Sequence, residues 1–236
     1  MSKRGIREQR RQFLKQAAFG AAMFSTSGLF AEELTQTPRQ TEGPFYPDSM
    51  PLDTDNDLLI INDKITPGLG TVTHLTGRVL EKSGTPVRNA TVEIWQADAN
   101  GIYIHSGSGT DEERDGNFQG YGRFLTGGKG EYYFRTIKPI AYRRRTPHVH
   151  MIVKAKGKRM LTTEMYVKGA AQNDGDPVLG RIRDQKARES VMVDFKPVPD
   201  SRTGELAAHF EIVLGVTPED NSRDRGRRGP APRRNG

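Results

Sequence analysis

The chain has no cysteine, one tryptophan and, at 34% apolar residues over 236 positions, little hydrophobic material. Without cysteine there is no disulfide scaffold, no thiolate-bound zinc, no iron–sulfur cluster and no cysteine nucleophile. No apolar run reaches the ~18 continuous residues that a membrane-spanning helix needs. The glycine-rich G-x-G-x-x-G fingerprint is absent, which removes the usual sign of a nicotinamide or flavin dinucleotide site. There is no internal repeat and no domain-splitting linker. What is plentiful is turn-forming residues, with 26 Gly and 14 Pro. A lean core divided by many turns points to short strands rather than long helices.

The formal charge of +7 is unevenly distributed. Over residues 1–31, Lys3, Arg4, Arg7, Arg10, Arg11 and Lys15 stand against Glu8, a net +5. Residues 218–236 carry a net +3 on Arg223, Arg225, Arg227, Arg228, Arg233 and Arg234. The body, 32–217, is therefore nearly neutral at −1. A basic molecule invites a nucleic-acid reading, and a neutral body removes it; no nucleic-acid partner is expected. In the N-terminal segment Arg10-Arg11-Gln12-Phe13-Leu14-Lys15 precedes a run of small and apolar residues from Ala17 to Ala31. That order resembles a bacterial twin-arginine export signal. It implies passage through the twin-arginine machinery to the periplasm or beyond, in a folded state that is often loaded with a cofactor. The Arg/Gly/Pro tail reads as a disordered, solvated segment.

Within the body, residues 33–70 are polar and Pro-rich and predict an irregular arm. From Val72 onward, β-branched and aromatic runs alternate with Gly/Pro/Asn/Asp turns at 72–80, 90–97, 131–136, 147–155, 160–167, 191–195 and 208–215. This spacing predicts an all-β fold, a sandwich with few short helices. The one helical candidate is 178–190.

The chemistry centres on His148-Val149-His150. Residues i and i+2 of a strand point to the same side, so the two imidazoles lie together, an arrangement suited to a metal. Tyr142 and Arg145 stand shortly upstream on a Pro-bounded connection, and no Asp or Glu adjoins the pair in sequence. The available hard anionic ligand is therefore tyrosinate. Free tyrosine loses its proton near pH ~10, and a trivalent hard cation can displace it earlier. Two His with Tyr favour iron(III) over zinc or iron(II), although copper accepts the same donors.

The motifs around this pair resemble those of the intradiol ring-cleavage dioxygenases, the protocatechuate 3,4-dioxygenase and catechol 1,2-dioxygenase family. They are Leu75-Thr76-Gly77-Arg78-Val79, Gly84, Val87, Val92-Glu93-Ile94 and Gly101-Ile102-Tyr103, then Asn117 to Thr126, Gly130 to Pro139, Tyr142, and Arg145-Thr146-Pro147-His148-Val149-His150. The Thr41–Tyr46 cluster resembles the family's arm, and the likeness covers about 37–217. It implies a ferric site held by Tyr103, Tyr142, His148 and His150, with Tyr142 the ligand that leaves when a catechol binds. Arg145 matches the arginine beside the substrate, where a planar cation stabilises negative charge on the ring. Where relatives carry glutamine, this chain has Glu164, a carboxylate able to accept from Arg145 or from a substrate hydroxyl. His74, His105 and His209 match no ligand. The implied reaction uses O2 to split a catechol between its hydroxylated carbons, giving a cis,cis-muconate-type diacid. Members of the family oligomerise, and the sequence does not fix how this chain does so. The competing classes are a non-catalytic β-sandwich binding module and a copper- or zinc-binding protein of the cell envelope built on the same residues.

Overall fold

The computed structural model describes residues 34–51, 53–62 and 64–215. The expected export signal (1–31) and the basic tail (218–236) lie outside the described residues. Among the described residues, ten strands form two sheets packed face to face, as expected for an all-β sandwich. The first sheet is built on the long β1 (Val72–Glu81). It pairs antiparallel with β4 (Glu131–Ile137) along one edge. Its other edge pairs in parallel with β9 (Leu206–His209) and then β10 (Ile212–Leu214), and β8 (Phe195–Pro197) extends it beyond β9. The second sheet runs β3 (Tyr121–Leu125), β2 (Thr91–Trp95), β5 (His148–Ala155), β6 (Lys158–Val167) and β7 (Met192–Val193).

Strand β1 shows why these residues fold this way. Thr73, Leu75, Gly77 and Val79 are buried while their neighbours His74, Thr76 and Arg78 are half-exposed, the two-residue period of a strand with one covered face. Gly77 has a specific duty. A Cβ there would collide with the Phe210 carbonyl oxygen and the Tyr132 hydroxyl, which donates to that carbonyl.

The second sheet is covered on both faces. Val92 and Ile94 of β2 and Val149, Met151 and Val153 of β5 join the inter-sheet core with Leu75, Phe134 and Ile212. The opposite face carries Trp95, Tyr121 and Ile152, over which Phe45 and Tyr103 pack as a second apolar cluster. The arm supplies Phe45 and half-buried Tyr46 to that cluster, and its described residues contain no strand. This outward face of β5, covered by the arm, holds the candidate site.

Some details depart from the sequence reading. Strand β3 was not among the predicted strands. The predicted 208–215 strand is two short ones, β9 and β10, broken at Phe210 and Glu211 and paired with different stretches of β1. The 178–190 helix is shorter: a 3-10 turn at Leu179–Arg181, then α1 (Gln185–Ser190). Asp184 caps α1 by accepting from the Ala187 amide at 2.7 Å, so the helix starts there and not at 178. No helix among the described residues is long and apolar enough to cross a membrane.

Candidate metal centre

The site starts with the pleat of β5. His148 and His150 emerge on the arm-covered side, and both are buried. Their Nε2 atoms lie 3.2 Å apart. His148 Nδ1 sits 2.6 Å from the Thr146 carbonyl oxygen, which can only accept. Nδ1 therefore carries the proton and Nε2 presents a lone pair. The Tyr103 hydroxyl lies 3.3 Å from that Nε2. A first-row metal with bonds of about 2.1 Å holds neighbouring donor atoms about 3.0–3.4 Å apart, the spacing seen here.

The loop between β2 and β3 delivers Tyr103. Asp98 organises it: Oδ1 accepts from the Asn100 and Ile102 amides, both at 2.9 Å, and Oδ2 from Asp115 at 2.7 Å. Gly101, at φ +83°, makes the tight turn that brings the chain back. The Tyr103 amide donates to Ser108 Oγ at 2.9 Å, and Phe45 stacks on the Tyr103 ring at 5.2 Å. Tyr142 stands on the opposite connection. Its ring is 5.3 Å from that of Tyr103 and 5.6 Å from that of His148, and it is only half-buried.

His150 is fixed from three sides. Trp95, its register partner on β2, stacks on it at 4.8 Å with planes 8° apart. Gly43, at φ +73°, brings the arm backbone against the ring, where a Cβ would stand 3.2 Å from Cε1. Glu164, its partner on β6, places Oε1 3.4 Å from His150 Nδ1. The two atoms are not aligned as a hydrogen bond, and both are buried without any other partner.

Glu164 is completely buried and also accepts from Arg145 and, at 2.6 Å, from the Tyr166 hydroxyl, both through Oε2. Arg145 Nε donates to Asp176 Oδ2 at 2.9 Å, so two carboxylates grip the guanidinium. Burial opposes the charge on Arg145, but Glu164 and Asp176 outweigh it and raise the pKa. Burial pushes the Glu164 carboxyl up, with Arg145 pulling it back. Burial also lowers His148 to about 4, helped by the Arg145 charge, and holds His150 well below the usual histidine range. Both imidazoles are thus neutral near pH 7, as metal ligands must be. Burial raises Tyr103 and Tyr142, so without a cation neither would ionise near neutrality.

All six residues singled out from the sequence (Tyr103, Tyr142, Arg145, His148, His150 and Glu164) come together here. The acid that seemed missing beside the His pair is supplied by the next strand. His74 lies elsewhere, 2.7 Å from the Tyr133 hydroxyl; His105 packs edge-on to Phe45, and His209 Nδ1 lies 3.1 Å from Thr76 Oγ1. Sequence reasoning missed Asp176, Gln40 and Trp95. Asp176 accepts four hydrogen bonds, from Arg145 Nε and the Thr146, Val178 and Leu179 amides. Gln40, on the arm, accepts from the Glu164 amide at 3.0 Å and donates to the Tyr166 hydroxyl.

A family model described as "Dioxygenase" matches residues 41–215. The protocatechuate 3,4-dioxygenase beta chain of Burkholderia cepacia is 37% identical over 169 residues, covering 68% of this chain and 71% of that one. The chain belongs to the intradiol ring-cleavage dioxygenase family. The hydroxyquinol 1,2-dioxygenase of Rhizobium sp. is 31% identical over 57% of this chain, and this chain spans about half of it, 48%. Among solved structures, the dioxygenase domain of a dioxygenase–carbohydrate-binding protein fusion from Streptomyces sp. SirexAA-E superposes with a TM-score of 0.58 at 26% identity, over 78% of this chain and all of that one.

The donor set fits the iron(III) used by intradiol dioxygenases. His148 presents its Nε2 lone pair 3.2 Å from His150 Nε2 and 3.3 Å from the Tyr103 hydroxyl, and a cation between them can take all three donors. Every candidate donor is nitrogen or oxygen, and the phenols give the hard anions that a trivalent ion prefers.

Proposed function

We propose that this dioxygenase holds iron(III) through Tyr103, Tyr142, His148 and His150 and cleaves a catechol-type ring between its two hydroxylated carbons with O2, giving a cis,cis-muconate-type diacid. The observation that carries the reading is the convergence of the Tyr103 hydroxyl and the two His Nε2 atoms at 3.2–3.3 Å, with the Tyr142 ring beside them. Iron(III), when bound, withdraws electron density from a chelated catechol and so opens the ring to oxygen.

The protein's own groups have separate duties. Tyr142, the more exposed of the two tyrosines, is the group that gives way to substrate, and its Oη takes one catechol proton. Arg145 is held on two edges by Glu164 and Asp176. Its charge is fixed in place and stabilises negative charge developing on the ring, at no cost in reorganisation. Phe45, Trp95 and Gly43 close around Tyr103 and His150 and keep water from the buried side.

The substrate panel follows from the relatives' names: protocatechuate, hydroxyquinol and catechol. Export by the twin-arginine route belongs to this reading and is supported by Arg10-Arg11-Gln12-Phe13-Leu14-Lys15. Assembly into an oligomer is supported by a relative that is itself one chain of a larger enzyme. One observation favours a second reading, a zinc or copper site: ligand atoms of His148, His150 and Glu164 lie within 4.8 Å of one another. It is the weaker reading, because Glu164 Oε2 is taken by Arg145 and Tyr166 and Oε1 faces the Nδ1 side of His150, away from Nε2.

Iron-loaded protein should be red-brown from tyrosinate-to-iron charge transfer, and its colour should change when catechol is added under nitrogen. Oxygen uptake and product mass across the panel then identify the substrate. A colourless protein carrying stoichiometric zinc, inert toward every catechol, overturns the proposal.

A further inference from the structure

Among the described residues, Glu164 Oε1 and His150 Nδ1 are two of only four buried side-chain polar atoms without a hydrogen bond, and they face each other at 3.4 Å. Leaving such groups unpaired inside a protein is costly, so their juxtaposition needs a reason. The other oxygen of Glu164 is committed to Arg145 and Tyr166. Those two bonds hold the carboxylate in place, on a strand in register with β5. Trp95, stacked on His150, restricts that ring to small rotations in its own plane.

We infer that Glu164 is a two-sided positioning residue: Oε1 accepts from His150 Nδ1–H once a metal occupies Nε2, while Oε2 holds Arg145. The inference rests on the proposed metal-binding role of His150. A metal-bound imidazole commonly donates its second N–H to a carboxylate, and the contact fixes the tautomer and strengthens the nitrogen as a donor. The carboxylate is needed because two acceptor oxygens are needed. An amide has one oxygen: turned toward Arg145 and Tyr166, it aims its NH2 group at His150 Nδ1–H, donor against donor. Glutamine can serve one side of this position and not both. Glu164 thereby couples the grip on the metal to the placement of the cation beside the substrate, through a single side chain that touches neither metal nor substrate.

The test compares wild type, Glu164→Gln and Glu164→Leu. Glutamine is nearly isosteric with glutamate, so this variant is the one expected to fold; melting of the metal-free proteins checks it. Zinc(II) is the first probe, since two neutral imidazoles bind it whether or not the native metal is iron. Both variants should bind zinc about 10–100-fold more weakly than wild type, leucine at the upper end. With iron(III), the charge-transfer band of Glu164→Gln should move to longer wavelength, because a weaker imidazole donor leaves the iron more electron-poor. A measurement on wild type alone adds a check independent of folding: zinc-loaded protein should show a far-downfield, exchange-protected proton on His150 Nδ1. Zinc affinity unchanged in a folded Glu164→Gln protein, or no such proton in wild type, overturns the inference. A colourless iron-loaded wild type that still shows the zinc effect instead overturns the ferric reading and leaves the role of Glu164 standing.

Discussion

Replacing Asp176 by alanine should cost this protein a large part of its stability, although the residue touches none of the expected ligands. Its Oδ1 accepts from the Val178 and Leu179 amides at 2.9 and 2.8 Å, and Oδ2 from Thr146 N and Arg145 Nε, both at 2.9 Å. Alanine strands the buried Thr146 and Leu179 amides and removes one of the two counter-charges on Arg145. A bond to a charged group contributes about 1.5–3 kcal/mol, and unpairing one member of a buried ion pair costs about 3–5 kcal/mol. Because Glu164 still holds Arg145, the expected loss is about 3–5 kcal/mol and not the sum of the parts. For a domain of this size that lowers Tm by roughly 6–20 °C. Asparagine keeps one acceptor oxygen and should lose about half as much. The assay is denaturant unfolding of the metal-free protein at pH 7, repeated near pH 3. Burial raises the Asp176 pKa, but the amide and guanidinium bonds win and hold it below the ordinary 3.8. A depressed carboxyl contributes stability above the unfolded value and loses it as pH falls through the folded one. The gap between wild type and Asp176→Ala should therefore narrow only below about pH 3.8. A deficit under about 1 kcal/mol at pH 7, or a gap that already closes at pH 5, refutes the reasoning.

Tyr103→Phe and His148→Ala should each abolish the red-brown colour and ring cleavage together, with absorbance and oxygen uptake measured on the same samples. Arg145→Met should lower kcat by about 10²–10³ while iron content stays at the wild-type level, because it removes a charge and not a ligand; Arg145→Lys should recover only part of this, since an ammonium cannot reach both Glu164 and Asp176 in the guanidinium's geometry. Gly77→Ala, far from the site, should cost at least 1–3 kcal/mol by thermal melting, since its methyl meets the Phe210 carbonyl and the Tyr132 hydroxyl.

How much of this was legible in the sequence depends on the range of each contact. His148-x-His150 needs only the two-residue period of a strand, and its shared face was readable from that alone. Tyr103 lies 45 residues from His148 on a loop shaped by Asp98 and Gly101, so only the family motif pointed to it. Glu164 becomes a neighbour of His150 through β5–β6 register, and a one-residue slip would turn it to the opposite face. Asp176 works through backbone amides, which carry no sequence signature. Strand β3 escaped notice because Tyr121-Gly122-Arg123-Phe124-Leu125 has a glycine at its second position and does not alternate cleanly. That glycine is forced, since the Asp55 carbonyl oxygen would lie 2.6 Å from a Cβ there.

The short connection before β5 explains how so few residues deliver so much of the site. Tyr142 and Arg145 form an isolated antiparallel bridge, with the Arg145 amide donating to the Tyr142 carbonyl at 2.9 Å. Arg143, at φ +50°, makes the reversal possible, an uncommon conformation for a residue with a side chain. Its guanidinium lies 5.6 Å from the centre of the Phe45 ring, the same ring that stacks on Tyr103. The turn is therefore anchored to the arm at its tip and to Asp176 at its base, through Arg145 Nε and the Thr146 amide. Thr146 then fixes the tautomer of His148 through its carbonyl. Four groups with different duties, Tyr142, Arg145, His148 and His150, are set by one turn and the first residues of one strand. Their order along the chain is local, and contacts from Phe45, Asp176, Glu164 and Trp95 then hold the turn and the strand in place. The elements brought from far away, Tyr103 on its loop and Glu164 on the next strand, need rigid support of their own: the Asp98 turn for the first, and the Gln40 and Tyr166 bonds for the second. Loosening the turn at Arg143 should thus disturb Tyr142 and Arg145 together, whereas loosening the arm at Gln40 should reach the site through Glu164 and Tyr166.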